Sequence, residues 1–218
     1  MDLQYFIYYS LLLVGVMLLS EFAYRFLHFN TEWTRKIAHI GSGIIALSYP
    51  DVITNHWVVF ALTLSFTFIL FFSKKMGLFP SIFSVGRKSY GELFFVWSSW
   101  LLFWLYQYTG DVIYFYLPFS IVVFADPMAA LVGTNFPFKK YSILKNTKSW
   151  GGSVAFFITA FLLSYYFFSQ YGVTKEVFFI SLLHGLILTF IEAISGKGLD
   201  NLTIPVVSVI FIYLIQGF

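Results

Sequence analysis

Asp126 stands inside an apolar run, in Phe124-Ala125-Asp126-Pro127-Met128-Ala129-Ala130-Leu131-Val132-Gly133. A carboxylate at that depth costs roughly 2.5 to 3.5 kcal/mol on membrane-insertion scales, so it calls for a partner or a function. Asp126, Ala130 and Gly133 follow one another at steps of four and three, one helical face of small residues that lets another helix or a ligand reach the backbone. Pro127 has no N–H and frees a carbonyl about one turn earlier, which suits a broken helix lining a cavity. The plainer reading is a kink and a packing groove, with Asp126 paired to a lysine.

Glu192 repeats the problem near the end of another apolar run, in Ile191-Glu192-Ala193-Ile194-Ser195-Gly196-Lys197-Gly198-Leu199-Asp200-Asn201. Asn201, just before the last apolar run, can serve as an ordinary helix N-cap. That reading leaves the intramembrane Glu192 and the adjacent Asp200 unexplained. Asp126, Glu192 and Asp200 are three hard oxygen ligands of the kind that magnesium takes together with a phosphate-bearing substrate.

Cations accompany these anions. Arg35 and Lys36 open a run in which His39 follows Arg35 at a step of four, placing the two on one helical face. Lys145-Asn146-Thr147-Lys148-Ser149-Trp150-Gly151-Gly152-Ser153 combines ammonium groups, hydroxyls and glycines at a helix start, where free N–H groups bind phosphate. Lys74, Lys75, Lys139 and Lys140 read as orientation and headgroup contacts, and Glu21 with Arg25, four residues apart, as an intrahelical pair.

The elements that hold these residues are membrane helices. Hydrophobic residues make up 59% of the chain and charged ones 11%, with mean hydropathy +0.82, far from the roughly 25% charged residues of soluble domains. The 29 Phe, 15 Tyr and 6 Trp suit lipid contact and membrane interfaces. The absence of cysteine excludes disulfides and thiolate chemistry, and four scattered histidines do not suggest a zinc cluster. Eight apolar segments qualify as spans: 3–24, 36–50, 56–73, 92–108, 112–134, 151–170, 176–194 and 202–217. The second is short and contains Gly41 and Gly43, so a half-helix, and with it seven spans, is the alternative. Eight spans place every Lys and Arg except Lys175 on one side, which the positive-inside rule makes the cytosol, with both termini on the other. The start of the chain lacks a basic n-region, so the first run reads as a retained helix. No connection is long enough for a separate domain, and residues 1–218 are expected to form one all-α, polytopic transmembrane bundle.

In this order the residues resemble the membrane-bound polyprenol kinase family, which includes phytol kinase and dolichol kinase. The matching stretches are Arg35-Lys36-x-x-His39-x-x-x-Gly43, Lys88-x-x-Gly91-Glu92, Asp126-Pro127-x-Ala129-Ala130-x-x-Gly133, Lys148-Ser149-x-x-Gly152-Ser153, and Glu192-Ala193 with Gly198-x-Asp200-Asn201-x-Thr203-x-Pro205. Lys148 to Gly152 is also similar to a stretch in the phosphatidate cytidylyltransferases. The resemblance implies CTP as donor, and the chain's size suits phytol or shorter prenol kinases. No Walker-type loop is present, so a soluble-kinase nucleotide fold is not expected.

What the resemblance implies is phosphoryl transfer from CTP to a lipid alcohol at the cytosolic face of a membrane, expected to be a bacterial cytoplasmic membrane. Asp126, Glu192 and Asp200 are then the candidates for Mg2+. Arg35, Lys36, Lys88, Lys148, Ser149, Gly152, Ser153 and Asn201 are those for the nucleotide phosphates. Asp126, with His39 and Glu192 as the other catalytic candidates, is the group expected to orient or deprotonate the alcohol. The partners are the lipid alcohol, the nucleotide and membrane lipids, not nucleic acid. CMP transfer to a phosphatidate-like lipid uses the same residues, and diacylglycerol is an alternative acceptor. An anionic-solute transporter also places acids beside half-helices, but here the polar groups gather on one side only.

Overall fold

The computed structural model describes residues 2–84, 89–136, 138–143, 146–172 and 176–217. Lys88, a predicted phosphate-binding residue, lies outside the described residues, as do its neighbour Arg87 and Lys175.

In chain order the helices are α1 (Asp2–Arg25), α2 (Thr31–Leu47), the single turn α3 (Tyr49–Val52), α4 (His56–Lys75), the single turn α5 (Pro80–Phe83) and α6 (Gly91–Thr109). A rod follows, made of α7 (Ile113–Ser120), a π-helical turn (Ile121–Ala125) and α8 (Asp126–Asn135). After it come α9 (Trp150–Gln170), α10 (Val177–Ile194) and α11 (Asp200–Gln216). Each of the eight predicted apolar segments is thus helical. By length and composition α1, α4, the α7–α8 rod, α9 and α10 are able to cross a membrane, and α11 is a shorter apolar helix. The chain is an all-α polytopic membrane protein.

Helix starts follow their caps. The Oδ1 of Asn30 accepts from the Trp33 amide at 3.0 Å to start α2, and Asn55 does the same for Trp57 at the head of α4. Helix α2 begins at Thr31, earlier than expected, and runs unbroken for 17 residues. Its glycines are points of close approach: a β-carbon on Gly41 would lie 2.9 Å from Val16 of α1, and one on Gly43 2.5 Å from Val123 of the π turn. A second departure is the hairpin of β1 (Lys140–Ile143) and β2 (Asn146–Ser149), with Lys140 opposite Ser149, in a connection expected to be a loop.

Burial departs from the pattern of a water-soluble protein. Leu11, Leu18, Leu19, Phe71 and Phe190 lie exposed, while Ser20, Ser98, Ser164, Ser181 and Ser208 are wholly buried. Small hydroxyl residues let helices pack closely where the surrounding solvent is as apolar as leucine. The helix ends differ in charge as well. At one end Lys74 bonds Glu92, and the Glu21 carboxylate accepts from the Ser81 amide of α5. At the other, Asp2 accepts from Asn55, Asp51 from Tyr116 and Asp111 from Gln216.

Candidate active site

The face of α2 that carries chemistry holds Lys36, His39 and Gly43. Lys36, only 4% exposed, reaches across to Asp126 with Nζ 2.6 Å from Oδ2. One turn on, His39 Nε2 lies 3.0 Å from the carbonyl oxygen of Val122. That oxygen is free for a reason written in the sequence. In the π turn the ladder runs from residue i to i−5, so its next donor would be the N–H of residue 127, which proline lacks. A carbonyl only accepts, so His39 donates through Nε2. Gly43 supplies the clearance that brings Val123 against α2. Arg35 borders the same cavity as His39, its guanidinium paired with Glu32 at 2.8 Å, and Lys36 joins them.

Helices α8 and α9 approach through Gly133 and Gly152: a β-carbon on Gly152 would lie 2.8 Å from the Ala129 carbonyl oxygen. Ser149 ends β2 and caps α9, its Oγ accepting from the Gly152 amide at 3.1 Å. Ser153 Oγ in the first turn of α9 and Tyr141 Oη of β1 share a hydrogen bond of 2.6 Å. Both serines therefore border the site with hydroxyls already engaged. Lys148, opposite Tyr141 in the hairpin, donates to Glu192 of α10. Burial alone would lower the Lys148 pKa; the charge of Glu192 and their hydrogen bond outweigh it and hold the ammonium above the ordinary lysine value.

The start of α6 meets the loop before α11 backbone to backbone. Gly198 has φ of +85°, and the Tyr90 amide donates to the Lys197 carbonyl at 3.0 Å. Asn201 is not the N-cap of α11, a position held by Leu199 without a side-chain bond. Its side-chain Nδ2 instead donates to the Gly91 carbonyl at 2.8 Å, and its backbone carbonyl accepts from Ser98 at 2.6 Å. Lys74, expected to meet lipid headgroups, bonds Glu92 at 2.6 Å and the Ser89 carbonyl at 2.8 Å.

Most of the candidate residues border one cavity of about 950 Å³. Asp126, Glu192 and Asp200 line it together with Arg35, Lys36, His39, Lys148, Ser149, Gly152, Ser153 and Asn201. Lys140 and Lys197 line it too, although the first reads as a headgroup contact in the sequence and the second carries no motif signal beyond its flanking glycines. Among the described residues the carboxylates form no ready-made cluster of three metal ligands. Asp126 and Glu192 are each held by a lysine. Two oxygens nevertheless lack partners: Glu192 Oε2 and Asn201 Oδ1 are buried without a hydrogen bond.

No protein-family model and no solved structure matches the chain. It is 31% identical over 192 residues to a phytol kinase of Synechocystis sp., covering 88% of this chain and 82% of that protein. The chain belongs to the phytol kinase family. A second relative, a probable chloroplastic phytol kinase of Oryza sativa subsp. japonica, is 28% identical over 209 residues, 85% of this chain and 65% of that protein. Membership makes the chain a phosphotransferase with an alcohol acceptor, drawing its phosphoryl group from a nucleotide.

Arg35, Lys36, Lys140, Lys148 and Lys197 bring cations to the cavity wall. Lysines and an arginine neutralise phosphate oxygens. The unpartnered oxygens of Glu192 and Asn201 fit a magnesium ion, which keeps several waters, takes few protein ligands and fills its remaining positions from substrate phosphates.

Proposed function

We propose that the chain transfers the γ-phosphoryl group of CTP to the hydroxyl of a prenol, phytol first among the acceptors, on the cytosolic side of a bacterial cytoplasmic membrane. In this reading eight helices cross the bilayer and both termini lie outside. One observation carries it: a single cavity leads from Lys36, Asp126, Lys148 and Glu192 into an interior walled by Leu62, Phe66 and Phe95. Charged phosphates and a greasy tail then meet where the hydroxyl must react.

Arg35, Lys36 and Lys148 bind the phosphates, with Lys88 joining them on the strength of the family resemblance. Glu192, Asp200 and Asn201 would hold Mg2+, which when bound neutralises charge on the phosphate oxygens. As phosphate draws the Lys36 ammonium, Asp126 is freed to take the alcohol proton. The alcohol oxygen forms its bond to phosphorus while the bond to the β-phosphate oxygen breaks, leaving CDP. His39 is assigned a positioning role, holding the Val122 carbonyl beneath Asp126 through its Nε2 proton.

The test is incubation of purified protein with Mg2+, CTP labelled in the γ-phosphate, and phytol, geranylgeraniol, a longer polyprenol or diacylglycerol, beside Asp126→Ala. Label entering a prenol from the wild type alone is expected. Label entering diacylglycerol instead reassigns the acceptor, and α-label entering phosphatidate replaces the kinase by a cytidylyltransferase.

A further inference from the structure

The cavity does not stop at its charged mouth. It continues between α1, α2, α4 and α6 as far as Tyr49. From Lys36 that is a rise of about 20 Å at 1.5 Å per residue, against a hydrocarbon core about 30 Å thick. Leu13, Met17, Leu62, Phe66, Phe95 and Val96 form the inner wall.

Polar residues on this wall turn their polar atoms away from the lumen. Ser42 Oγ donates to the Ala38 carbonyl at 2.7 Å, and Ser99 Oγ to the Val96 carbonyl at 2.8 Å. Thr63 Oγ1 points at the same Val96 oxygen, 3.4 Å away. Beyond His39 the hydroxyls of Ser42, Thr63 and Ser99 are thus turned to backbone carbonyls, and short of the Tyr49 hydroxyl at its end the lumen offers a ligand mainly apolar contact. Packed interiors hold few voids larger than a water molecule, so a long apolar tunnel suits a long apolar ligand.

The inner end is closed by aromatics packed edge to face. Tyr49 is 3% exposed, with its ring edge-on to Tyr9 at 4.9 Å between centroids and to Phe103 at 6.2 Å. Tyr9 is itself fixed by a 2.8 Å hydrogen bond between its hydroxyl and Ser48 Oγ. Ala46, three residues before Tyr49, lines the last turn of the lumen with a single methyl group.

We infer that this tunnel is the binding site for the isoprenoid tail of the acceptor alcohol and that Tyr49 is its floor, so that its depth sets the longest tail accepted. The inference rests on the proposed prenol kinase activity and adds the part of the protein that selects among prenols. A tail that ends above Ala46 is indifferent to the floor. One that reaches Tyr49 fills the lumen, and a longer one either folds back or holds its hydroxyl away from Asp126.

The experiment compares kcat/KM for geraniol, farnesol, geranylgeraniol and a polyprenol of about twice that length in the wild type, Ala46→Phe and Tyr49→Ala. Ala46→Phe fills the last turn, and the ratio of geranylgeraniol to geraniol is expected to fall about tenfold or more, the discrimination a hydrophobic pocket gives for a misfitting apolar group. Tyr49→Ala opens the floor, and the ratio of the long polyprenol to geranylgeraniol is expected to rise by a similar factor. Should Ala46→Phe lose activity with every prenol through misfolding, Ala46→Val gives the same ratio with a smaller perturbation. Ratios that stay within about twofold of wild type in all variants overturn the tunnel while leaving the kinase intact. A wild type that phosphorylates no prenol overturns the function beneath it.

Discussion

A β-carbon on Gly198 would lie 2.2 Å from the backbone nitrogen of Gly91, across a chain separation of more than a hundred residues. The contact joins the start of α6 to the loop that carries Asp200 and Asn201. It leaves no room for a side chain, and the positive φ of Gly198 adds about 1–2 kcal/mol of strain for any L-residue. Gly198→Ala is expected to lower the melting temperature in detergent and to cost most of the kinase activity. Gly15→Ala, where an added β-carbon meets nothing within 4 Å, leaves both unchanged. Wild-type activity in Gly198→Ala removes this junction from the site.

Lys36 and Asp126 test whether a pair is structural or reactive. Both side chains are largely buried, and removing one partner of a buried pair costs about 3–5 kcal/mol because the other charge is left uncompensated. Lys36→Met and Asp126→Leu should each destabilise the protein, and the double variant should recover much of the loss. Phosphoryl transfer should recover in none of them. The checks are a double-mutant cycle on unfolding in mixed micelles and the γ-label assay on the same samples. Turnover in the double variant would dismiss Asp126 as proton acceptor.

Much of this arrangement is legible in the chain because membrane helices expose their chemistry. An Asp or Glu in an apolar run stands out, and Pro127 after Asp126 signals a broken ladder. What linear spacing withheld is which motif meets which. Helix α2 meets the π turn through His39, since one extra residue in the turn leaves the Val122 carbonyl free, and it meets the start of α8 through Lys36. Asn201 reads as a cap because caps are local, yet its amide binds Gly91, on a helix far away in the chain. The hairpin that aims Lys148 at Glu192 escapes a reading by periodicity, since its strands are four residues each and β2 holds no apolar residue.

Glu192 bears on the metal. Its Oε1 meets Lys148 while Oε2 is buried without a partner, so one oxygen remains for a cation. Chelation by EDTA is expected to abolish phosphoryl transfer, and added Mg2+ to restore it. In Glu192→Gln the Mg2+ concentration for half-maximal activity should rise about tenfold or more, at least the effect of losing an outer-shell partner. An unchanged Mg2+ dependence with lowered kcat would move Glu192 from the metal to the positioning of Lys148.

His39 separates positioning from proton transfer. Val122 is wholly buried, and its carbonyl has His39 as hydrogen-bond partner across the helix boundary. His39→Ala leaves that oxygen unsatisfied, at a cost of about 1–3 kcal/mol, and lets the π turn shift under Asp126. The expected result is lower stability and lower kcat, with an unchanged shape of the pH–rate profile and partial rescue by His39→Asn, which can still donate a hydrogen bond. A general base behaves otherwise: its removal erases the acidic limb of the profile, and asparagine does not restore it. Loss of that limb in His39→Ala would transfer the proton-accepting role from Asp126 to His39. Because Nε2 already donates to Val122, the base would then have to be Nδ1.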